Sequence, residues 1–321
     1  MGEGEYCGRC MVKAGDTMYV GIDGGGTATR GILSNGHDVM LEAGAGPSNA
    51  IVVGEERAYE AVQKIWRALV EHPGTLIDAT VIGLAGVDRP FLRDNWIRRL
   101  DQLIPGDYWL VGDYQLAWAA LSHGDPGVVG ILGTGSVFFG HNGVDGARVG
   151  GYGWQLGDSG SGIALGQKAV KATLAMLDGT GETTALGDLV SEYFQASTAL
   201  DILTRWYTPP FEVRAISDLA HKVLQAAAND TVARALVDHE AQSVVNHYQT
   251  LTRVLGWRDQ WPVGVVGGLS KWWLPWLNQY WLPLGYRTPL TLVTEKPVEG
   301  AVWLAQQWKN IGKRSDRHVL S

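Results

Sequence analysis

An α/β protein of two lobes is the architecture that this sequence indicates, because one glycine-rich segment occurs twice in it. Residues 20–27 read VGIDGGGT and residues 129–136 read VGILGTGS, so the second copy begins 109 residues (129 − 20) after the first. That spacing is the size of a domain, and a chain of 321 residues has room for two. Strand-like apolar segments also alternate with helix-like amphipathic segments, as in α/β lobes. We therefore predict lobes at residues 18–124 and 125–297.

Each copy is predicted to form a β-hairpin rather than the start of a strand–helix unit. A second β-like segment follows each copy and ends in an Asn-Gly pair, at Asn35 and at Asn142, which is a strong hairpin signal. A dinucleotide-binding loop would open a helix instead, and a Walker loop needs a lysine that neither copy has. Glycine turns of this kind expose backbone N–H groups that can bind phosphate. An ordinary turn is the alternative, and two matched copies weigh against it.

The two copies differ in charge at one position, where Asp23 of the first corresponds to Leu132 of the second. A carboxylate beside phosphate-binding N–H groups repels phosphate unless a cation lies between them. Asp23 therefore predicts a Mg²⁺ ion, held directly or through water, because Mg²⁺ keeps several waters and takes few protein ligands. The alternative is a carboxylate that caps the turn.

Hydrophobic periodicity predicts the remaining elements. In the first lobe, helices are expected at residues 55–70, 91–103 and 114–122, and strands at 79–84 and 108–111. In the second lobe, a largely helical stretch is expected at 163–256 and a strand at 263–266. Residues 298–308 are predicted to form a terminal helix, and the rest of the segment 298–321 is a polar tail.

Composition and charge restrict the class of function. The net charge is −7 and no Lys/Arg-rich run precedes the last few residues, which argues against a nucleic-acid partner. No apolar stretch approaches the roughly 20 residues of a membrane-spanning helix, and the N-terminus lacks a signal pattern. We therefore expect a soluble cytoplasmic enzyme with no membrane partner. Cys7 and Cys10 lie in residues 1–17, which we predict to be an unstructured leader.

Tryptophan is abundant, with 14 residues, and it is concentrated in KWWLPWLNQYW at residues 271–281. Packing in the core or at a subunit interface is favoured there over stacking against a sugar. We also predict a homodimer, and the sequence leaves open whether this segment forms its interface.

Three polar residues are candidates for the chemistry. Asp113 follows an apolar strand and precedes a helix, where α/β sheets place their ligands, and phosphoryl transfer needs a carboxylate that orients or deprotonates the attacking hydroxyl. The alternative for Asp113 is a helix N-cap. Asp158, in GDSGSG, could accept hydrogen bonds from sugar hydroxyls or form an Asx-turn that opens the next helix. Asn49 can both donate to and accept from a sugar, but loop asparagines are common.

These residues belong to a series of motifs that resembles a known family. The motifs, in order, are GIDGGGT, GPSN, GLAG, Gly112-Asp113, LGTGS, GGYGWQLGDSGSG, VVGGLS and PVEGA. Over residues 18–308 the series resembles the BadF/BadG/BcrA/BcrD group of the actin/hexokinase/Hsp70 ATPase superfamily, particularly N-acetylglucosamine kinases and bacterial glucosamine kinases. The resemblance implies a two-lobed actin-like (ribonuclease H-like) fold with duplicated lobes and a central cleft. It also implies that ATP and Mg²⁺ are used to phosphorylate the 6-hydroxyl of an amino sugar, N-acetylglucosamine or glucosamine.

The resemblance also assigns roles to residues. Asp23 would bind the metal, and Asp113 would be the base for the sugar hydroxyl. The helix from Val298 would cross back to support the first lobe. The residues implied to bind phosphate are Gly24, Gly25, Gly26, Thr27, Gly133, Thr134, Gly135 and Ser136, and those implied to lie against the adenosine are Gly267 and Gly268. The residues implied to line the sugar are Asn49, Gly86, Asp113, Gly151 and Asp158.

The chain departs from the family pattern near the sugar residues. Gly112 stands where threonine is frequent, Tyr152 where tryptophan is frequent, and Ser159 where an acidic residue or glutamine is frequent. These differences leave open whether the sugar carries an acetamido group or a free amine.

Two other functional classes are weaker alternatives. An ATP-hydrolysing activator of a dehydratase would need cysteines within the domain to hold an iron–sulfur cluster, and no cysteine follows Cys10. A sugar-sensing repressor would need a helix-turn-helix before the first hairpin, where 17 unpatterned residues stand.

Overall fold

The computed structural model describes residues 17–71 and 76–311, and it divides them into two compact units. Unit 1 contains the described residues up to Gly127, those from His141 to Gly146 and those from Val293 onward. Unit 2 contains Val128–Gly140 and Ala147–Leu292. The leader with Cys7 and Cys10 and the polar tail after Ile311 lie outside the described residues.

Unit 1 is built on a five-stranded sheet with the order β3-β2-β1-β4-β5. Strands β1 and β2 are antiparallel, as are β2 and β3, whereas β4 runs parallel to both β1 and β5. The strands are β1 (Met18–Gly24), β2 (Thr29–Ser34), β3 (Val39–Ala45), β4 (Ile77–Leu84) and β5 (Tyr108–Gly112). The helices are α1 (Ala50–Val53), α2 (Glu55–Val70), α3 (Pro90–Leu103), α4 (Asp113–Ser122) and α11 (Pro297–Ile311).

Burial explains why β1 is the central strand of this sheet. Met18, Val20 and Ile22 are fully buried, and helices cover both faces of the strand. A Cβ at Gly21 would lie 2.7 Å from the Val298 carbonyl oxygen, so this glycine allows α11 to approach β1 closely. The buried residues of α2 recur at helical spacing, from Ala58 through Val62 and Ile65 to Leu69, as the amphipathic pattern predicts.

Unit 2 repeats the same sheet, with the order β10-β9-β6-β7-β8. Read from the other edge, β6 takes the place of β1, and β7, β8, β9 and β10 take the places of β2 to β5. The strands are β6 (Gly127–Leu132), β7 (Ser136–His141), β8 (Gly146–Gly150), β9 (Val263–Val266) and β10 (Thr291–Leu292). The helices are α5 (Gly162–Leu177), α6 (Leu186–Phe194), α7 (Ala199–Tyr207), α8 (Ala220–Ala226), α9 (Thr231–Val254) and α10 (Ser270–Trp281), with a 3₁₀ segment at Val213–Leu219.

The structure confirms the main predictions of local structure. Both glycine-rich copies form strand–turn–strand–turn–strand hairpins, the predicted helix at 55–70 is α2, and the terminal helix is α11. The tryptophan-rich segment is α10, whose Trp273 and Trp281 are fully buried, so core packing is the correct interpretation there. Among the described residues, no helix combines the length and the apolar character needed to span a bilayer.

Candidate active site

The first glycine turn lies in unit 1 between β1 and β2. It closes with a hydrogen bond from Gly25 N–H to the Ala28 carbonyl (3.0 Å), and its own carbonyls are also occupied. Gly24 O accepts from Ala85 N–H at 2.8 Å, and Gly25 O accepts from Ser48 N–H at 3.1 Å. A Cβ on Gly24 would collide with Ser48 and Leu84, while a Cβ on Gly26 would have no neighbour within 4 Å. The turn is therefore fixed at its base and open at its tip, as a phosphate-binding turn must be.

Asp23 is the last side chain before this turn, and it is half-buried. Burial raises the pKa of its carboxyl to about 6. The positive charge of Arg30, which pairs with Asp23 across β1 and β2, lowers this pKa and only partly offsets the rise. A carboxylate that is disfavoured by burial gains from a bound cation, which compensates its lost hydration. Asp23 is therefore suited to bind a metal ion or another cation that neutralises phosphate, rather than only to cap the turn.

Asp113 is the first residue of α4, directly after β5. The N-cap of α4 is Gly112, whose N–H donates to Oε1 of Gln115 at 2.8 Å, so the N-cap alternative for Asp113 is wrong. The Asp113 carboxylate accepts a local hydrogen bond from Tyr114 N–H at 3.0 Å. Burial, and then the charges of Asp23 and Asp88, raise the pKa of Asp113 to about 7. Such a value suits a general base near neutral pH.

Asn49 and Gly86 lie close together in unit 1. Asn49 caps the short helix α1, because its Oδ1 accepts from Ile51 N–H at 3.1 Å, which leaves the amide nitrogen as its remaining donor. Gly86 has φ +78°, and a Cβ there would be 3.5 Å from Asn49 Oδ1 and 2.7 Å from Ile51. A side chain at residue 86 would therefore have a strained backbone and would crowd Ile51, which explains the glycine.

The second glycine turn lies in unit 2 between β6 and β7, and it is tied to the start of α5. Gly162 N–H donates to Gly133 O at 2.7 Å, and Ile163 N–H donates to Thr134 O at 3.2 Å. Gly133 has space for a ligand, since a Cβ there would meet nothing within 4 Å. The Ser136 hydroxyl donates to Ser159 O at 2.8 Å, so it binds the GDSGSG loop in this structure.

Asp158 lies against this second turn. Its Oδ1 accepts from Gly153 N–H at 3.0 Å, its carboxylate also accepts from Ser136 N–H, and a Cβ on Gly135 would be 2.9 Å from Oδ2. Burial raises the pKa of Asp158, and these hydrogen bonds oppose that rise. The N-cap of α5 is Ser161, so the Asx-turn alternative for Asp158 is wrong. With φ +62°, Asp158 has a strained backbone of the kind found at functional sites.

Two of the predicted glycines of unit 2 have steric reasons for being glycine. Gly151 has φ +72°, and a Cβ there would be 2.8 Å from Val137. Gly267 has φ +108° and lies against the backbone of Leu132, at the base of the second turn. Gly268 has open space around its Cα, as a residue beside a bound ligand would. The family resemblance predicted these positions, and the structure supplies a steric basis for Gly151 and Gly267.

Two buried side chains that sequence reasoning missed hold the GDSGSG loop. Glu240 of α9 accepts from Gly160 N–H at 2.5 Å and pairs with Lys168 Nζ at 2.5 Å, and only 3% of Glu240 is exposed. Trp273 of α10 donates its indole N–H to Gly160 O at 2.8 Å. Side chains thus fix both the N–H and the carbonyl oxygen of Gly160, which lies two residues after Asp158. A glutamate among the apolar positions of α9 was the available sequence signal.

The predicted site residues fall into two groups, one within each unit. Unit 1 holds Asp23, Gly24 to Thr27, Asn49, Gly86 and Asp113 around the ends of β1, β4 and β5. Unit 2 holds Gly133 to Ser136, Gly151, Asp158, Gly267 and Gly268 around the end of β6.

A family model described as the BadF/BadG/BcrA/BcrD ATPase family matches residues 20–275. The chain belongs to this family. Its match to the model includes both glycine turns, Asp113 and Asp158.

Named relatives are amino-sugar kinases. The chain is 30% identical over 254 residues to the N-acetylmuramic acid/N-acetylglucosamine kinase of Clostridium acetobutylicum, covering 75% of this chain and 81% of that protein. It is 27% identical over 277 residues to the N-acetyl-D-glucosamine kinase of Dictyostelium discoideum, covering 78% and 85%. The crystal structure of a candidate N-acetylglucosamine kinase from Chromobacterium violaceum superposes with a TM-score of 0.72 at 27% identity, covering 90% of this chain and 99% of that one. The expected actin-like ATPase fold is thereby confirmed.

The residues of this BadF/BadG/BcrA/BcrD ATPase fit a Mg²⁺ ion that is held mainly by phosphate and water. Within the described ranges, no cluster of three or more His, Cys, Asp and Glu side chains could hold a metal by itself. Mg²⁺ needs only one or two carboxylates when phosphates complete its shell. Asp23, half-buried beside an open glycine turn, is a suitable single carboxylate.

Proposed function

We propose that this protein is an ATP-dependent amino-sugar kinase, which transfers the γ-phosphoryl group of ATP to the 6-hydroxyl of N-acetylglucosamine. One observation carries the proposal: Asp113, with its pKa raised to about 7, lies in unit 1 within electrostatic range of Asp23, and the next residue, Tyr114, is hydrogen-bonded to the loop of Gly86, which lies beside Asn49. A base, a cation site and sugar-binding groups are the parts that phosphoryl transfer to an alcohol requires. The amino-sugar kinases among the relatives support the choice of substrate.

In the reaction, Asp113 takes the proton of the 6-hydroxyl as its oxygen attacks the γ-phosphorus. The bond between the γ-phosphorus and the bridging oxygen breaks, and ADP leaves with that oxygen. The N–H groups of the two glycine turns would bind phosphate oxygens, and Gly267 and Gly268 would lie against the adenosine. When bound at Asp23, Mg²⁺ would neutralise charge on the phosphates.

The sugar would be held by groups that have bonding capacity to spare. The Asn49 amide nitrogen can donate, because its Oδ1 is already occupied by Ile51 N–H. The Asp158 carboxylate can accept from sugar hydroxyls while Gly153 keeps it oriented. Gly86 and Gly151 would line the sugar with backbone alone.

A panel of acceptors tests the proposal by ADP release, with and without Mg²⁺. The acceptors are N-acetylglucosamine, glucosamine, N-acetylmannosamine, N-acetylmuramic acid and glucose. We expect the highest kcat/KM with N-acetylglucosamine, dependent on Mg²⁺, and a 6-phosphate product by NMR. A higher kcat/KM with glucosamine would correct the acceptor. ADP release that no sugar stimulates, from a protein that binds iron, would instead favour a dehydratase activator.

The homodimer and the cytoplasmic location remain predictions. Sedimentation analysis of the purified protein checks the first, with about twice the 34.7 kDa chain mass expected.

A further inference from the structure

Tyr114 connects the start of α4 with the loop that follows β4. Its side chain is buried, with 7% exposed, and its hydroxyl donates to Asp88 Oδ2 at 2.7 Å. Its ring lies over the Cα of Gly112, where a Cβ would come within 3 Å of the ring atoms. The departure from the family pattern at Gly112 thus has a steric reason, because a threonine at this position would displace the Tyr114 ring.

The loop at residues 85–89 is the segment that this hydrogen bond holds. It contains Gly86, which lies beside Asn49, and it begins at Ala85, whose N–H donates to Gly24 O of the phosphate turn at 2.8 Å. The Asp88 residue is exposed. Hydrogen bonds from a phenol to a carboxylate are charge-assisted and therefore stronger than neutral ones. The bond joins Asp113's helix to the Gly86 loop, both of which belong to the proposed sugar site.

We propose that Tyr114 and Asp88 form a positioning pair for the acceptor sugar. Their hydrogen bond sets the distance between the Gly86 loop and the start of α4, so that Asn49, Gly86 and Asp113 contact the sugar together. Neither residue was among the predicted site residues, and the inference rests on the proposed kinase function. Because the pair acts on the sugar residues, its loss should affect the sugar and not ATP.

The central test is Tyr114→Phe, which removes one hydroxyl and keeps the ring over Gly112. We expect kcat/KM for the acceptor sugar to fall about tenfold, mainly through KM, because the lower end of the range for a hydrogen bond to a charged group corresponds to about that factor. The KM for ATP should stay within twofold of wild type. A sugar kcat/KM within twofold of wild type would overturn the proposal.

A matched control exists in the same unit. Tyr108, at the opposite end of β5, is also 7% exposed, and its hydroxyl donates to Asp101 Oδ1 at 2.8 Å. Tyr108→Phe should lose a similar amount of thermal stability but leave the KM of the sugar unchanged. If both variants raised the sugar KM equally, the effect would be one of general stability and the proposal would fail.

Variants of exposed Asp88 test the pair without disturbing the core. Asp88→Asn keeps an oxygen that can accept from the phenol and should retain sugar kcat/KM within about threefold, whereas Asp88→Ala should resemble Tyr114→Phe. In the double variant Tyr114→Phe/Asp88→Ala the two losses should not add, since one bond is removed twice. Additive losses would show that the residues act separately and would refute the pair.

The outcome also separates this inference from the proposed function. If the wild-type protein phosphorylates no sugar, the kinase proposal and this inference both fail. If the wild type phosphorylates an amino sugar and Tyr114→Phe is indistinguishable from it, only the inference fails.

Discussion

The two glycine hairpins have the same place in their sheets but different chemistry after the shared Val-Gly-Ile. In unit 1 the next residue is Asp23, a half-buried carboxyl with a raised pKa. In unit 2 it is Leu132, which is fully buried and whose carbonyl accepts from Leu269 N–H at 3.0 Å. The first hairpin thus ends in a charge beside an open turn, and the second is part of a core. The two units thus have the same backbone hairpin, and only the hairpin of unit 1 has a carboxyl, that of Asp23, at this position.

The largest expected effect comes from giving the second hairpin the charge of the first. Leu132→Asp would bury a carboxylate without a partner and should destabilise the protein by about 4 kcal/mol or more. Urea unfolding measures this loss. Leu132→Met is the control and should cost less than about 1.5 kcal/mol. A Leu132→Asp protein as stable as wild type would mean that the second hairpin tolerates charge as the first does.

Next in size is the removal of the candidate base in unit 1. Asp113→Asn should lower kcat about 100-fold or more while the protein stays folded, because the amide cannot take the proton. Near-wild-type turnover would remove Asp113 from the mechanism. Wild-type activity should also fall as the pH drops below about 7, where Asp113 becomes protonated.

The same variant has a stability signature. The folded-state pKa of Asp113, about 7, lies above its ordinary value of 3.8, so folding favours the protonated carboxyl. That stabilisation is complete below pH 3.8 and is lost as the pH rises through 7. Asp113→Asn should therefore raise the Tm by about 2 °C or more at pH 8 and leave it unchanged at pH 3.5. A lower Tm at pH 8 would contradict the raised pKa.

A smaller effect is expected when the first hairpin loses its charge. Asp23→Asn should reduce kcat about 30-fold and raise the Mg²⁺ concentration needed for half-maximal rate, because one ligand of the ion weakens. The stability at pH 8 should not fall, since burial already disfavours the Asp23 carboxylate. An unchanged Mg²⁺ requirement would place the metal elsewhere.

The smallest effect concerns the support of Asp158 in unit 2. Glu240→Gln keeps an oxygen for Gly160 N–H but loses the charge and the ion pair with Lys168, so the sugar KM should rise about threefold with little change in the KM for ATP. Glu192→Gln is the control, because Glu192 is 74% exposed on its side chain and only loosely paired with Lys222, and it should change neither constant. Equal effects of the two variants would contradict a role for Glu240.

Local patterns predicted most of the fold. The hairpins followed from glycine turns and Asn-Gly pairs, and the bounds of α2 followed from its apolar spacing, because these signals lie within one element. The position of Asp113 was also predictable, since a carboxylate after a buried strand is placed by the strand itself. The N-cap of α4 is Gly112, whose N–H donates to Gln115, so Asp113 does not cap the helix, and its role as the base stays a prediction.

The support of the site could not be predicted in this way. Glu240 contacts Gly160 across 80 positions of sequence, and Trp273 does so across 113, so no local pattern records either bond. The Tyr114–Asp88 bond spans 26 positions and depends on the missing Cβ of Gly112. Such contacts result from tertiary packing, and only the structure reveals which loop each buried polar group holds.

The position of helix α11 at the end of the chain has a consequence for how unit 1 folds during synthesis. It packs on β1, β4 and α4 of unit 1, where Gly21 and Gly300 permit close approach, yet the ribosome synthesises it after the whole of unit 2. The nascent chain therefore emerges with the Gly21 face of β1 uncovered while the second unit is completed. Synthesis of unit 1 begins first, but its packing is completed last, when α11 is added. A chaperone that shields exposed strands would be needed most during that interval.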